Sequence, residues 1–412
     1  MDLKKASQKI IETAIRSAMP DEAVQRALKG RTFPGNVHLI AIGKAAWQMA
    51  KAASDCLGDI LTDGAVITKY GHCKGDIPHL SLYEAGHPVP DENSYKATKA
   101  AMDLVKELTS EDTVLFLISG GGSALFECPL IPEEEMVGIT AQLLTCGADI
   151  CEINAIRKRL SSVKGGRFGA LCAPAKVLSI VLSDIIGDPL DMIASGPAYP
   201  DSSTTEQVME IVSRYDLKLS GEAMALLKKH LPQKLDNVET IVNGSVRQLC
   251  ASAAEECRAL GFEPIVLTAS LCCTARDAGS FFGSIAQYHQ DTDRPLAYIM
   301  GGETVVKLTG HGLGARNQEL ALAAAVGLHG IPNAAVFSIG SDGTDGPTDA
   351  AGGYVDGSTQ TVLAEKGISI NSVLMENDAY HALEACGGLI KTGPTGTNVN
   401  DVSGLLIDKS NI

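Results

Sequence analysis

One segment of this chain concentrates glycines and carboxylates directly after a short apolar run. Residues 338–353 read Ser-Ile-Gly-Ser-Asp-Gly-Thr-Asp-Gly-Pro-Thr-Asp-Ala-Ala-Gly-Gly, and the preceding Ala334–Phe337 is short enough to be a buried strand. The glycine and proline content excludes a helix. Clustered carboxylates repel one another unless a cation, hydrogen-bond donors or water relieve the repulsion. The segment therefore predicts a metal or substrate loop, with aspartate-capped turns as the alternative.

Two other junctions between a strand and a helix carry groups suited to anions. Lys44 follows Gly43 at the start of a predicted helix, where free amides and the helix dipole already attract negative charge. The run Ser119–Ser123 is Ser-Gly-Gly-Gly-Ser, whose backbone amides could close around phosphoryl oxygens. This run is neither a Walker A loop nor a dinucleotide-binding G-x-G-x-x-G motif. An exposed helix lysine and a simple glycine-rich turn are the alternatives.

Clustered basic residues are conspicuous because the chain is acidic overall. Five of them fall within the 11 positions from Arg157 to Arg167, which indicates either a solvated helix face or a contact with polyphosphate. Arg316 is placed at a predicted helix start, where its charge opposes the dipole but suits a bidentate clamp on carboxylate or phosphate. An ordinary surface arginine is the alternative there.

Further polar groups follow other predicted strands. Asp184 and Asp188 come just after one strand, where they could hold Mg²⁺ or cap the next turn. The segment Thr392–Asp401 is rich in hydroxyl and amide groups and precedes the last predicted strand, Leu405–Ile407. We expect this segment to return to the site.

Short apolar runs alternate with longer helical segments along the whole chain, which is typical of an α/β protein with largely parallel sheets. Predicted strands include 37–42, 113–118, 177–182, 296–300 and 334–337, and predicted helices include 44–57, 91–108, 246–260 and 318–327. The carboxyl ends of parallel strands share one edge of a sheet, which is where such sheets bind ligands. We therefore expect two α/β domains, residues 1–235 and 236–412, with the active site in a cleft between them.

Composition excludes several functional classes. The chain has 412 residues, and 34 basic against 49 acidic side chains give a net charge of −15. Such a surface repels phosphate backbones and anionic lipid, so we expect neither nucleic-acid nor membrane binding. The 11 cysteines are scattered without a zinc-like pattern, which favours reduced thiols in the cytoplasm.

Taken together, the motifs resemble those of the MOFRL-type glycerate 2-kinases. The resemblance covers nearly the whole chain and rests on the order of its parts: Ile42-Gly-Lys-Ala45, Ile118-Ser-Gly-Gly-Gly-Ser-Ala124, Asn154-Ala-Ile-Arg-Lys158 with Lys164-Gly-Gly166, Gly301-Gly-Glu-Thr304, Arg316-Asn-Gln-Glu319, Asp342-Gly-Thr-Asp-Gly-Pro-Thr-Asp349 and Thr392-Gly-Pro-Thr-Gly-Thr-Asn-Val-Asn400. Departures are small. Gly314-Ala315 stands where the family usually has Gly-Gly, and Cys273-Thr274 where it often has Gly-Glu.

The resemblance implies a Rossmann-like N-terminal domain, a MOFRL-type C-terminal domain, and ATP-dependent phosphorylation of D-glycerate at its 2-hydroxyl with Mg²⁺. The catalytic residues would be Lys44, Arg316 and Asp342. Substrate and phosphate would be bound by Ser119, Gly120, Gly121, Gly122, Ser123, Arg157, Lys158, Lys164, Glu303, Asn317, Thr397 and Asn398. The metal ligands would be drawn from Asp184, Asp188, Asp345 and Asp349.

Two other functional classes stay open from the sequence. One is an oxidoreductase acting on hydroxypyruvate, although the chain lacks a strand-GxGxxG-helix motif with a following acidic residue. The other is a protein that binds nucleotide or sugar acid without turning it over. Association into a homo-oligomer is left open as well.

Overall fold

The computed structural model describes residues 1–409, which form two compact units with one six-stranded sheet each. The Lys44 unit comprises Ala23–Ser183 and Asp188–Asn243. The Arg316 unit comprises Met1–Glu22, Asp184–Gly187 and the described chain from Gly244 onward. The α/β class is confirmed.

The helices and strands alternate along most of the chain. The helices are α1 Leu3–Ser17, α2 Pro20–Leu28, α3 Ala46–Leu57, α4 Glu92–Val105, α5 Gly122–Leu125, α6 Glu133–Thr145, α7 Ile150–Arg159, α8 Arg167–Leu171, α9 Thr205–Arg214, α10 Gly221–Leu227, α11 Val246–Ala259, α12 Ala275–His289, α13 Arg316–Leu328, α14 Thr359–Glu365, α15 Ile370–Met375 and α16 Ala379–Cys386. The strands are β1 Val37–Ile42, β2 Leu61–Lys69, β3 Leu80–Ala85, β4 Thr113–Ile118, β5 Lys176–Leu182, β6 Val238–Gly244, β7 Glu263–Leu271, β8 Leu296–Gly302, β9 Ala334–Gly340, β10 Gly352–Asp356, β11 Leu389–Ile390 and β12 Asp401–Ile407.

The sheet of the Lys44 unit has the strand order β3-β2-β1-β4-β5-β6, and β1 to β5 pair in parallel. Its central strands β1 and β4 are buried along their whole length, as strands covered on both faces must be. Alternate residues of β1 enter different cores: Leu39 packs with α2 and α3, and Ile40 packs with α4. The carboxyl ends of β1 to β5 therefore share one edge.

The sheet of the Arg316 unit is mixed, with the order β11-β10-β9-β12-β8-β7. The pair β7–β8 is parallel, whereas β8–β12, β12–β9, β9–β10 and β10–β11 are antiparallel. The expectation of a largely parallel sheet therefore does not describe this unit. The reason is that β12 runs antiparallel between β8 and β9, and β10 runs antiparallel to β9. The first residue of β12 therefore lies beside the last residues of β8 and β9.

The two compact units do not follow a single cut in the sequence. Helix α1 belongs to the Arg316 unit because its apolar face, including Ile10 and Ile11, packs against α11 and the sheet of that unit. The domain boundary at 235/236 and the location of the active site stay predictions. Every helix within residues 1–409 is too short or too polar to cross a bilayer.

Candidate active site

In the Lys44 unit, the turn after β1 lies directly against the turn after β4. The backbone N–H of Lys44 donates to the carbonyl oxygen of Gly120 over 2.9 Å. Gly43 has a φ of 109°, and a Cβ added there would lie 2.3 Å from the hydroxyl oxygen of Ser119. Only glycine permits this approach. The two motifs that the sequence associates with anions are therefore neighbours.

The Lys44 side chain is exposed and precedes the first turn of α3. The helix begins at Ala46, two residues later than the start predicted from the sequence. The dipole of α3 consequently opposes the Lys44 charge less than it would inside the helix. An exposed ammonium beside the glycine-rich turn after β4 is suited to an anionic ligand.

The two serines that flank the triple glycine have different surroundings. Ser119 is buried, and its hydroxyl donates to the carbonyl oxygen of Ile42 and accepts from the amide of Ala45, each over 3.1 Å. It therefore holds the two turns together. The hydroxyl of Ser123 lies 3.0 Å from that of Ser195, which occupies left-handed backbone at a φ of 62°. Left-handed backbone at a non-glycine residue is costly and persists only where surrounding contacts enforce it.

The basic residues predicted to contact polyphosphate are largely enclosed. The ammonium of Lys158 lies 3.0 Å from Asp201 and 3.3 Å from Asp191. Lys164 is buried and donates to the carbonyl oxygens of Ser123 and Phe126. Burial lowers the pKa of Lys164 to about 8. These contacts give both lysines a structural role, and Lys164 contacts the segment that follows the triple-glycine turn. Their phosphate-binding role stays a prediction.

Arg157 shares one carboxylate with the buried lysine. Glu127 Oε2 lies 3.7 Å from Arg157 and 3.7 Å from Lys164. The Glu127 side chain is 1% exposed, so Arg157 and Lys164 are the cations that compensate a buried carboxylate. Arg157 itself remains partly exposed, and of the three basic residues predicted to contact phosphate it is the most accessible.

In the Arg316 unit, Arg316 begins α13, as predicted, and is held in place by two carboxylates. Its Nε and Nη2 donate to Asp401 over 2.6 and 3.1 Å, and its Nη1 donates to Glu303 over 2.9 Å. Burial alone would lower the pKa of Arg316, but the hydrogen bonds and charges of Asp401 and Glu303 outweigh it and raise the pKa. A guanidinium has five N–H groups, so two of them are outside these bonds.

The direction of β12 explains this cluster. Asp401 begins β12 and pairs in register with Gly302 at the end of β8 and Gly340 at the end of β9. The next residue after β8 is Glu303. Because β12 runs opposite to both neighbours, its first carboxylate lies at the edge where they end. That carboxylate holds the Arg316 guanidinium at this edge.

Asp345 caps the start of α13. Its carboxylate accepts the backbone N–H of Asn317 over 3.2 Å and that of Gln318 over 2.9 Å. The side chain is buried, and burial raises its pKa to about 6, although the amide bonds from Gln318 and Asn317 oppose the shift. Asp345 therefore satisfies helix amides that would otherwise lack partners.

We expect the substitution Asp345→Asn to change how stability depends on pH. A folded-state pKa near 6, above the ordinary value of 3.8, means that wild-type stability falls as pH rises between these values. Relative to Asp345→Asn, the wild type should lose about 2 kcal/mol of unfolding free energy between about pH 4.5 and 7.5. Urea unfolding of both proteins at several pH values measures the difference.

Asp349→Asn is the matched control for this experiment. Asp349 is exposed, and its pKa is lowered, first by the hydrogen bond from Lys391 and also by Tyr380. Its variant should therefore lose stability relative to wild type as pH rises, which is the opposite sign. The same sign for both variants would contradict the assignment of Asp345 as a buried, disfavoured charge.

The four aspartates predicted as metal ligands do not form a cluster. Within residues 1–409 no group of three or more His, Cys, Asp or Glu side chains could hold a metal ion. Asp345 caps α13 and Asp349 pairs with Lys391 at the surface. Asp184 lies in the Arg316 unit and Asp188 in the Lys44 unit. Metal binding by one or two of these four residues stays a prediction.

Asp342 stands at the same edge as Arg316. A Cβ added at Gly340 would lie 3.3 Å from Asp342 Oδ1 and 3.4 Å from Asp401 Oδ1, so both carboxylates face this glycine. Asp342 Oδ1 accepts the backbone N–H of Thr344 over 2.9 Å, and the side chain is half-buried. Asp342 is thus a fixed carboxylate within the loop that the sequence identified.

The other predicted residues of this unit differ in accessibility. The Asn317 side chain is buried and accepts from Ser338 over 2.6 Å. Thr397 is buried and donates to the carbonyl oxygen of Ala18 over 2.7 Å, so it anchors its loop. Asn398 is exposed at the same loop. Asn398 is therefore the more accessible of the two loop residues.

Comparison with known proteins identifies the family. Residues 6–228 match a domain of unknown function, DUF4147, and residues 296–401 match the MOFRL family. The chain is 49% identical to a D-glycerate 2-kinase from Thermotoga maritima, covering 98% of this chain and 99% of that protein. It is 40% identical to a glycerate 2-kinase from Pyrococcus horikoshii, covering 98% and 97%. The chain belongs to the MOFRL-type glycerate kinase family.

A solved structure shows the same family likeness. The crystal structure of a glycerate kinase from Thermotoga maritima is similar with a TM-score of 0.93 at 50% identity, covering 98% of this chain and 99% of that chain. The resemblance drawn from the motifs is therefore confirmed, as is the α/β class of this glycerate kinase family member.

Sequence reasoning did not assign a site role to Asp401 and Asn400 of this family member. Asp401 holds Arg316, and Asn400 donates to Glu303 Oε2 over 3.3 Å. Asn400 is 5% exposed, has a φ of 67°, and its side-chain oxygen has no hydrogen-bond partner within residues 1–409. The signal available was the polar segment that ends at these residues, but its contact with Arg316 requires the antiparallel direction of β12.

Proposed function

We propose that this protein is an ATP-dependent kinase that phosphorylates D-glycerate at its 2-hydroxyl, giving 2-phosphoglycerate, and that it acts in the cytoplasm. The observation that carries the proposal is the 49% identity, over nearly the full length of both chains, to a protein named D-glycerate 2-kinase. The geometry of both units is consistent with phosphoryl transfer, which depends chiefly on positioning and on neutralising charge.

The Lys44 unit supplies donors for phosphoryl oxygens. The Lys44 side chain is exposed and its backbone contacts Gly120, and Gly120 and Gly121 have no side chains to obstruct access to their backbone N–H groups. Such preorganised donors are most effective where negative charge develops in the transition state. We assign Lys44 and the triple-glycine turn to the transferred phosphoryl group.

The Arg316 unit supplies a fixed cation and a carboxylate. The two N–H groups of Arg316 that lie outside its bonds to Asp401 and Glu303 can hold an anionic oxygen. Asp342 is placed at the same edge and can orient the 2-hydroxyl and accept its proton. The proton passes from the attacking hydroxyl to the Asp342 carboxylate as the oxygen bonds to phosphorus and ADP leaves.

Mg²⁺ is proposed to accompany the nucleotide. Mg²⁺ in kinases is usually held by substrate phosphates and one or two carboxylates, so a three-carboxylate cage is not required. Two adjacent groups would hold the ion: the carboxylate of Glu303 and the side-chain oxygen of Asn400, which has no hydrogen-bond partner within residues 1–409. When bound, the ion would neutralise phosphate charge.

Purified protein with ATP, Mg²⁺ and D-glycerate should release ADP, and omission of D-glycerate or chelation of the metal should abolish the release. Absence of ADP formation with D-glycerate would contradict the proposal. A parallel incubation with hydroxypyruvate and NADH or NADPH tests the oxidoreductase alternative, for which we expect no cofactor oxidation. ATP binding without turnover would support a non-catalytic binding protein instead.

A further inference from the structure

Four neighbouring strands of the Lys44 unit end in basic side chains or in the triple-glycine turn. In the order β3-β2-β1-β4, His87 follows β3, Lys69 ends β2 and His72 follows it, Lys44 follows β1, and Gly120–Gly122 follow β4. The strands are parallel, so these groups share one edge of the sheet. Lys69, His72 and His87 have no role in the function proposed above.

His87 rests directly on the triple-glycine turn. A Cβ added at Gly121 would lie 3.0 Å from His87 Cδ2, 3.1 Å from His87 Nε2 and 3.3 Å from Lys44 Cγ. Gly121 has a φ of 87°, so glycine is favoured there for both conformation and space. His72 contacts the neighbouring turn after β1, because its Nδ1 lies 3.0 Å from the carbonyl oxygen of Lys44.

We infer that His87 is a further substrate-contacting residue, which binds a phosphate group of the nucleotide together with Lys44 and the triple-glycine turn. The inference rests on the proposed function, since it names the ligand that this edge receives. The ligand would be an oxyanion surrounded by cations, because imidazolium and ammonium groups donate hydrogen bonds to phosphate oxygens.

The charges around His87 favour this assignment. Burial lowers the pKa of His87, and the positive charges of Lys44, Lys69 and His72 lower it further. The free site therefore favours the neutral imidazole, and a bound anion would favour the protonated form.

The carboxylates of the neighbouring elements have other partners. Glu84, at the end of β3, accepts the backbone N–H of Cys73 over 2.9 Å. Asp91 precedes α4 and accepts from Tyr70 and from the Ser94 backbone. Neither carboxylate is among the charges that shift the pKa of His87. A bound phosphate would thus be the main negative charge beside the imidazole.

The test is an NMR titration of the histidine imidazoles in the full chain, with His87→Gln used to assign the His87 signal. A nonhydrolysable ATP analogue with Mg²⁺, inorganic phosphate and D-glycerate are added in separate samples. We expect the analogue to raise the pKa of His87 by about one unit or more, and D-glycerate alone to leave it unchanged. A rise with D-glycerate but not with the analogue would overturn the assignment to nucleotide phosphate.

Kinetics supply a second readout. His87→Gln should raise the KM for ATP about tenfold and flatten the dependence of that KM on pH between about 5.5 and 7.5. His230→Gln, which replaces an exposed histidine beside Thr205, is the matched control and should match wild type. A protein that forms ADP from D-glycerate but shows an unshifted His87 with every ligand would refute this inference and leave the proposed function intact. A shifted His87 without ADP formation would support the anion site and refute the proposed function.

Discussion

Replacing Lys44 by methionine should lower kcat by about 100- to 1000-fold, the usual loss when one preorganised donor to a developing negative charge is removed. Methionine keeps the unbranched shape and most of the length of the side chain but removes its charge. Because the Lys44 side chain is exposed, the free energy of unfolding should change by no more than about 0.5 kcal/mol. Steady-state kinetics and urea unfolding of the same preparation separate the two effects.

Lys29→Met is the control for Lys44→Met. Lys29 is an exposed lysine that follows α2, so its substitution removes one positive charge from the surface of the same unit. We expect wild-type kinetics from this control. Equal rates for Lys44→Met and Lys29→Met would remove Lys44 from the active site.

Replacing Arg316 by lysine should also be severe, although the positive charge is kept. A single ammonium cannot form the two bonds to Asp401 together with the bond to Glu303 and still present donors to substrate. We expect kcat/KM for D-glycerate to fall by about 100-fold or more. The free energy of unfolding should fall as well, because Asp401 is 5% exposed and loses a bidentate partner.

A double substitution separates the structural effect of Arg316 from its effect on substrate. In Arg316→Met with Asp401→Asn, both charges of this pair are removed, so no uncompensated carboxylate remains at the buried position 401 and stability should recover relative to Arg316→Met alone. Activity should stay as low as in Arg316→Met. Recovery of activity together with stability would show that Arg316 acts only by holding the fold.

The buried strands of the site could be located, although not their exact ends, because local sequence determines where an apolar run lies. The apolar runs of β1, β4 and β9 are buried strands, as expected, although β9 continues three residues beyond its predicted end, to Gly340. Arg316 begins its helix, as predicted. These features depend on neighbours in sequence, and so a single sequence is sufficient to find them.

Contacts between residues far apart in the chain could not be predicted from the sequence. Asp401 reaches Arg316 only because β12 inserts antiparallel between β8 and β9. The residues of β12 do not indicate in which direction the strand will run. The aspartate run suggested a metal or substrate loop, with aspartates bonded to nearby amides as the alternative, but the sequence could not show that Asp345 accepts the free amides of α13. The basic run suggested either a solvated helix face or a contact with polyphosphate, whereas Lys158 is buried against Asp201. In each case a polar group found a partner distant in the chain.

The position of the new phosphate tests the account most directly. The ³¹P spectrum of the product formed from ATP and D-glycerate, recorded without proton decoupling, distinguishes the two phosphoglycerates by the protons on the carbon that bears the phosphate. We predict a doublet, from the single proton at carbon 2, with wild type, and a signal at least about 100-fold slower to appear with Lys44→Met. A triplet from the two protons at carbon 3, or no phosphoglycerate at all, would contradict the account.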